Sequence, residues 1–190
     1  RFEENKYPST NIRMSDFLEH IKIIEENNIN FINPKNFENE LKNNKTQRKI
    51  LLTIDDGFLS FYENAWPILK KKKIPFILFV STREVGAFNY MTWDQIREIS
   101  KENFVEIGNH SHTHEYLVEE KSELIKIDIE KSISIFKKEL GRNSDFYVSY
   151  SEIVTDKGHD SFLLNEPEFL KTLKGFVDSM HEKFKNEKRI

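Results

Sequence analysis

The residues best suited to chemistry lie in two short stretches. In LLTIDDGFLSF (51–61), two adjacent carboxylates, Asp55 and Asp56, follow an apolar run and precede Gly57. Asp-Gly pairs are common turn formers, so a simple turn would account for this stretch by itself. In HSHTH (110–114), three of the six histidines of the chain occupy five positions directly after another apolar run. Together the two stretches favour a shared chemical role over a turn and a surface histidine cluster.

Imidazole and carboxylate groups are typical ligands of zinc and related ions. His110 and His114 could bind one ion if the backbone turned helical after the strand, because residues four apart share a helix face. Either Asp55 or Asp56 would supply an oxygen ligand, and the other would take a proton from metal-bound water. The ion would also keep both acids ionised despite their mutual repulsion. His112 would then point elsewhere, supporting a ligand, facing the substrate or lying exposed.

The elements expected around these residues alternate between strand and helix. Apolar runs without alternation, typical of strands buried on both faces, are KILLTI (49–54), PFILFVS (75–81) and FVEIGN (104–109), with INFIN (29–33) as a shorter candidate. Helical stretches are predicted within residues 9–28, where Ser15 is the expected N-cap and Asn27–Asn28 the expected stop, and over residues 34–43, 62–73, 92–103 and 121–140. Thr92 is the expected N-cap of the fourth helix, and Gly141 the expected end of the fifth.

This order of elements predicts an α/β domain with a parallel sheet, open or closed into a barrel. In such folds the chemistry collects at the carboxyl ends of the strands. Both DDG (55–57) and HSHTH (110–114) lie at that position. We therefore expect the two stretches to meet at one edge of the sheet.

Composition narrows the class of protein. A chain of 190 residues with 37% hydrophobic content can form one domain with a sizeable core. The net charge of −3 gives no reason to expect nucleic acid or an anionic membrane as a partner. The absence of cysteine excludes disulfides and thiolate metal sites, and no apolar stretch approaches the ~20 residues of a membrane helix. No signal peptide is recognisable, and the chain starts on Arg1, so the compartment stays open.

The paired motifs resemble those of the polysaccharide deacetylase family, the NodB-homology domain of carbohydrate esterase family 4. TIDDG (53–57) and HSHTH (110–114) match the first two family patterns, T-F-D-D-G and H-S/T-x-x-H. The flanking YPST (7–10) and MTWDQI (91–96) also suit the family, particularly its branch that acts on poly-N-acetylglucosamine. The resemblance covers residues 1–145.

The resemblance implies an irregular (β/α) barrel and a carbohydrate N-deacetylase. The implied reaction is metal-dependent hydrolysis of N-acetyl groups from an amino-sugar polysaccharide, with metal-bound water attacking the acetyl carbonyl. Carried over by motif, Asp55 is the general base, while Asp56, His110 and His114 bind a divalent metal. Zinc is the expected ion.

The implied partner is an N-acetylated glycan, and Trp93 and His112 are the weaker candidates for contact with it. By resemblance the protein would work in the cell envelope or outside the cell. The barrel is expected to be partial, because a (β/α) barrel needs more strands than residues 1–145 provide.

The family pattern breaks near residue 146. The later family motifs, which include a Pro- and Gly-containing loop and the Leu-x-x-x-His that supplies the general acid, are not found in this sequence. Residues 148–177 instead resemble the C-terminal end of homoserine O-acetyltransferases, where His159 would match a triad histidine. The sequence has no G-x-S-x-G nucleophile elbow, which argues against acyltransferase activity. We divide the chain into a truncated deacetylase-like domain (1–146) and an atypical strand–helix tail (147–190).

The sequence does not establish the origin of the tail or the catalytic activity of the chain. A natural fusion, a gene-assembly artefact and a chance resemblance are all compatible with it. His112, His159 and His181 are candidates to replace the missing acid. The alternative to an active N-deacetylase is a metal-binding but catalytically impaired domain that lacks the later motifs.

Overall fold

The computed structural model describes residues 1–43, 48–115 and 120–147. The strands in these ranges are β1 (Asn30–Phe31), β2 (Lys49–Ile50), β3 (Leu52–Ile54), β4 (Phe76–Val80) and β5 (Val105–Asn109). The α-helices are α1 (Met14–Glu26), α2 (Phe37–Asn43), α3 (Trp66–Lys72), α4 (Trp93–Ile99) and α5 (Ser122–Leu140). Short turns of 3-10 helix (Pro8–Thr10 and Pro34–Asn36) and of π-helix (Phe61–Ala65) precede α1, α2 and α3.

The strands form two parallel sheets. β1 pairs with β2, and the larger sheet has the order β3-β4-β5. Ile54 at the end of β3 pairs with Leu78, and Val80 at the end of β4 pairs with Asn109. The carboxyl ends of all three strands therefore lie at one edge, which confirms the α/β class with a parallel sheet. Tyr147 adds a parallel bridge to Asn109 beyond β5.

The stretch predicted as one strand buried on both faces, residues 49–54, is interrupted at Leu51. Its first half pairs with β1, whereas its second half pairs with β4 in the other sheet. Leu52 and Ile54 are only half-buried and Thr53 is exposed. The prediction was wrong here because β3 is the edge strand of its sheet among the described residues, where it pairs with β4 on one side only. The predictions for the other two apolar runs are correct, since β4 and β5 are buried at every position.

Aromatic side chains fill the core beneath the larger sheet. Phe76 of β4 packs edge-on against Phe61 at 5.5 Å and against Trp66 at 5.9 Å between ring centroids. Each such pair contributes about 0.5–1.5 kcal/mol beyond the area that it buries. The amino-terminal end of β4 therefore packs against a cluster of aromatic rings.

The predicted start of the helix before β5 and the predicted end of the helix after β5 are confirmed, whereas α4 ends at Ile99 instead of residue 103. The Thr92 hydroxyl accepts the backbone N–H of Gln95, and the Gln95 side chain accepts the N–H of Thr92, which is a complete capping box for α4. Helix α5 ends at Gly141, whose φ of +71° suits glycine. None of the helices within the described ranges has the length and apolar character that a membrane crossing requires.

The C-terminal predictions lie outside the described residues. This holds for the strand and helix expected in the tail, and for His159 and His181. The division of the chain at residues 146 and 147 stays a prediction.

Candidate metal centre

The two aspartates follow β3 through a turn with a left-handed backbone. Asp56 and Gly57 have φ values of +74° and +73°. This conformation costs an ordinary residue about 1–2 kcal/mol, whereas glycine avoids the cost and aspartate is among the residues that tolerate it best. The Gly57 carbonyl accepts the backbone N–H of Met91 at 2.9 Å, which holds the turn. The Asp-Gly turn is therefore real, and it also presents both carboxylates at the sheet edge.

The histidine loop is held against the end of β4. The N–H of His110 donates to the Val80 carbonyl at 3.0 Å, and the N–H of Thr82 donates to the Ser111 carbonyl at 3.2 Å. Ser111 and His114 have φ values of +64° and +59°, so this loop is not the helical turn through which the two histidines could have converged. The Ser111 hydroxyl accepts the N–H of His114 at 3.1 Å and closes the loop. A left-handed loop, not a helix, brings the two imidazoles together.

Asp56, His110 and His114 meet at one point. Oδ1 of Asp56 lies 3.0 Å from Nε2 of His114 and 3.4 Å from Nε2 of His110, and the two Nε2 atoms are 3.1 Å apart. The side chain of His110 is 7% exposed, compared with 24% for Asp56 and 40% for His114. The cluster is therefore closed towards the protein and open towards solvent.

These separations fit a first-row divalent metal ion. Ligand atoms about 2.0–2.1 Å from one ion lie about 3.4 Å apart in a tetrahedron and about 2.9 Å apart in an octahedron. Oδ1 of Asp56 is buried without a hydrogen-bond partner, although both ring nitrogens are within 3.4 Å. An ion bound between the three atoms would satisfy this oxygen, which is otherwise costly to bury. Two imidazoles and a carboxylate do not suit Ca²⁺ or Mg²⁺, which prefer oxygen ligands.

The two carboxyl groups differ in their electrostatic surroundings. Burial by itself would raise the pKa of Asp56, but the imidazoles of His110 and His114 bring this pKa well below its ordinary value. Asp55 is exposed at the surface, yet partial burial of its carboxyl raises its pKa; the His110 imidazole lowers this pKa in part, and the Asp56 charge raises it. Asp56 thus resembles a fixed anionic ligand, and Asp55 a solvent-accessible base. A bound cation would favour ionisation of both groups.

Comparison with known proteins assigns the family. The sequence profile of the family Polysaccharide deacetylase matches residues 42–152. The chain belongs to the polysaccharide deacetylase family. A poly-beta-1,6-N-acetyl-D-glucosamine N-deacetylase of Staphylococcus aureus (strain MSSA476) is 32% identical over 142 residues, which cover 70% of this chain and 49% of the relative. The chain spans about half the length of the curated relatives that it matches.

Solved structures of other proteins share the fold of this chain. IcaB from Ammonifex degensii gives a TM-score of 0.69 at 24% identity, over 80% of this chain and 72% of that chain. Streptococcus pyogenes deacetylase PplD, solved in complex with acetate, gives 0.68 at 21% identity, over 80% and 70%. These matches confirm the expected partial (β/α) barrel. The resemblance of the tail to homoserine O-acetyltransferases stays a prediction.

His112 lies in the same loop as the candidate metal ligands His110 and His114 and has a structural contact. Its side chain is buried, and its Nδ1 is 2.8 Å from the Thr82 hydroxyl. Its carbonyl accepts the Ser81 hydroxyl and the backbone N–H of Arg83, each at 3.0 Å. Burial lowers the pKa of the imidazole below its ordinary value, which favours the neutral ring. His112 therefore ties the histidine loop to the segment after β4, and its contact with substrate stays a prediction.

Trp93, the other weak candidate for substrate contact, packs against the core. Its ring meets Phe136 of α5 edge-on, with 6.0 Å between centroids. A second aromatic pair includes Phe58, which follows the aspartates and Gly57 in the sequence. The ring centroids of Phe58 and Tyr90 lie 4.8 Å apart. The position of Phe58 after TIDDG is the signal that could have found this pair from sequence. Contact of Trp93 with sugar stays a prediction.

Sequence reasoning missed the polar residues that support the histidine loop from α5. Asp128 is 9% exposed and Ser132 is fully buried. The carboxylate of Asp128 accepts backbone N–H groups of the histidine loop, and the Ser132 hydroxyl accepts the side-chain amide of Asn109 at 3.0 Å. The signal was available, since Asp128 and Ser132 share the helix face that carries Phe136, with a spacing of four residues.

Proposed function

We propose that this chain is a divalent-metal-dependent carbohydrate N-deacetylase that removes N-acetyl groups from an amino-sugar polysaccharide. The observation that carries the proposal is the convergence of Asp56, His110 and His114, with Asp55 beside them, at the carboxyl edge of a parallel sheet. Membership of the polysaccharide deacetylase family supports the class of reaction. The similarity to the S. aureus enzyme supports a poly-N-acetylglucosamine as the substrate.

In this proposal Asp56, His110 and His114 hold the metal, and zinc is the ion because the ligand set of two nitrogens and one oxygen suits it. When bound, such a metal polarises the acetyl carbonyl and acidifies a water molecule. Asp55 accepts a proton from this water as the water oxygen bonds to the acetyl carbon. The C–N bond then breaks as a proton is transferred to the sugar nitrogen, so that the free amine and acetic acid are formed; the proton that Asp55 accepted balances this transfer.

Geometry supports the division of roles between the two carboxylates. Oδ1 of Asp56 is within 3.4 Å of both ligand nitrogens, so this residue belongs to the group that can bind one ion. Asp55 is next to it in sequence, is exposed and is outside that group. A base needs access to the reacting water and substrate, which the exposed position of Asp55 provides.

Two substitutions with one matched control test the proposal. Asp56→Asn should lose the metal and the activity together. Asp55→Asn should keep one equivalent of metal while acetate release from N-acetylglucosamine oligomers falls by about 10²-fold or more. Asp16→Asn, at an exposed aspartate of α1, should keep both. Full activity in Asp55→Asn, or undiminished metal content in Asp56→Asn, would contradict the assigned roles.

The catalytically impaired metal-binding domain is the second candidate. The observation that favours it is that the later family motifs do not occur in the sequence given. The same assays separate the two candidates. One equivalent of metal without acetate release would establish the second candidate, and a protein that takes up no metal after reconstitution would exclude both.

A further inference from the structure

Helix α5 holds the segment that joins the two histidine ligands. Asp128 accepts the backbone N–H of His112 at 2.7 Å through Oδ2 and the N–H of Thr113 at 2.9 Å through Oδ1. Oδ1 also accepts the Thr113 hydroxyl at 2.6 Å. All three donors belong to residues between His110 and His114. One carboxylate therefore holds two of the three residues that connect His110 to His114.

This connection needs support because its backbone is unfavourable. Ser111 and His114 are both left-handed without being glycine, and such residues persist where the surrounding structure holds them in place. The bonds to Asp128 lie between these two positions in the chain. Without them, the segment would have a route to a relaxed backbone, which would move the His114 ring away from the His110 ring.

A carboxylate suits this position better than any neutral side chain. An ionised aspartate has only acceptors, so it can face three donors without conflict. An asparagine would turn an NH₂ group towards one of the backbone N–H groups. Asp128 lies in the interior of α5, six residues after its first residue, Ser122, so it does not cap its own helix. Its bonds serve the histidine loop.

A second contact from α5 secures the start of the same loop. The Asn109 side chain donates to the Ser132 hydroxyl at 3.0 Å and accepts the backbone N–H of Ser111 at 2.9 Å. Ser132 follows Asp128 by one helical turn, so both contacts come from one face of α5. The helix thus fixes the loop before and after Ser111.

We propose that Asp128 is a positioning residue of the metal centre, which holds His110 and His114 at the separation that one ion requires. The inference rests on the proposed function, because it assumes that these histidines bind the metal. Residues that orient metal ligands typically change metal affinity about 10–100-fold when they are substituted. Asp128→Asn should therefore weaken metal binding by a factor of this size although Asp128 does not touch the ion.

The test is a titration of the metal-free full chain with Co²⁺, whose visible d–d bands report both affinity and coordination geometry. Asp128→Asn should raise the Kd for Co²⁺ about 10–100-fold and change the band shape. Glu130→Gln, at an exposed acid on the same helix, is the matched control and should bind like the wild type. Far-UV circular dichroism at the titration temperature establishes that each variant is folded.

If Asp128→Asn does not fold, a milder variant tests whether the bonds to Asp128 affect metal affinity. Thr113→Val removes one of the three donors and keeps both backbone bonds, and it should raise the Kd about 2- to 10-fold. Wild-type affinity and spectrum in folded Asp128→Asn would overturn the inference. If that variant is unfolded, unchanged affinity in Thr113→Val would overturn it. A wild-type chain that binds no Co²⁺ would instead refute the proposed metal site itself.

Discussion

The closeness with which β4 and β5 pack near the candidate metal site can be tested at Gly108. It pairs with Phe79 in the parallel register and lies two residues before His110. A Cβ added at Gly108 would overlap with Cδ1 and Cε1 of the Phe79 ring and lie 3.1 Å from Cγ2 of Ile77. Gly108→Ala therefore forces the Phe79 ring to move or the two strands to separate.

The expected loss of stability is the difference between two effects. Overpacking a well-filled core costs about 1–3 kcal/mol. Replacing glycine by alanine inside a strand returns about 0.5–1 kcal/mol, because the unfolded chain loses freedom. Phe79 is only 7% exposed, so its ring has little room to move aside. We expect the free energy of unfolding of Gly108→Ala to fall by about 1–2 kcal/mol.

Urea unfolding of the metal-free protein measures this loss, and a double-mutant cycle identifies its cause. In a Phe79→Ala background the added methyl group meets no ring. There Gly108→Ala should be neutral or stabilising by up to about 1 kcal/mol. The reasoning is refuted if Gly108→Ala is as stable as the wild type, or if it costs the same in both backgrounds.

Three further outcomes follow from the same structure. Thr92→Ala, which removes the capping box that Thr92 forms with Gln95, should lower the free energy of unfolding by about 1 kcal/mol in urea titrations. Thr82→Val, which leaves the buried imidazole of His112 without its hydroxyl partner, should lower it by about 1–3 kcal/mol, whereas Thr82→Ser should not. Removal of metal by a chelator should lower the midpoint temperature of thermal unfolding. Zinc added at 100 times its Kd should raise the free energy of unfolding by about 2.7 kcal/mol relative to the metal-free protein. An unchanged midpoint after chelation would contradict a metal bound by the folded state.

The candidate ligands were predictable because their chemistry depends on residue type and short spacing. Asp55 and Asp56 stand together after one apolar run, and His110 and His114 follow another. Their position at the carboxyl ends of parallel strands then brings them to one edge. The route by which the histidines converge was not predictable, because a left-handed Ser111 leaves no mark in a hydrophobic pattern.

The start of α4 and the end of α5 were easier to predict than the bounds of the first strands, because helix ends depend on nearby residues and strand pairing depends on distant ones. These two helix ends are set by local residues, Thr92 with Gln95 and Gly141, which act within one turn of the chain. The break at Leu51 depends instead on distant partners, since β1 and β4 each pair with one half of residues 49–54. An apolar run of six residues looks the same whether it joins one sheet or two.

The contacts from α5 to the histidine loop were predictable only in part. The spacing of the polar residues is visible in the sequence, but their partners depend on where the fold places the helix. Asp128, Ser132 and Phe136 are spaced four apart, so a helix must place them on one face. Phe136 is buried in the core, so the polar side chains on its face require polar partners nearby. The backbone N–H groups of a strand inside a parallel sheet are already hydrogen-bonded to the neighbouring strands. The loop that follows β5 has backbone N–H groups that need other acceptors. Polar residues on the buried face of a helix beside a ligand loop therefore indicate positioning residues, once the topology places the helix there.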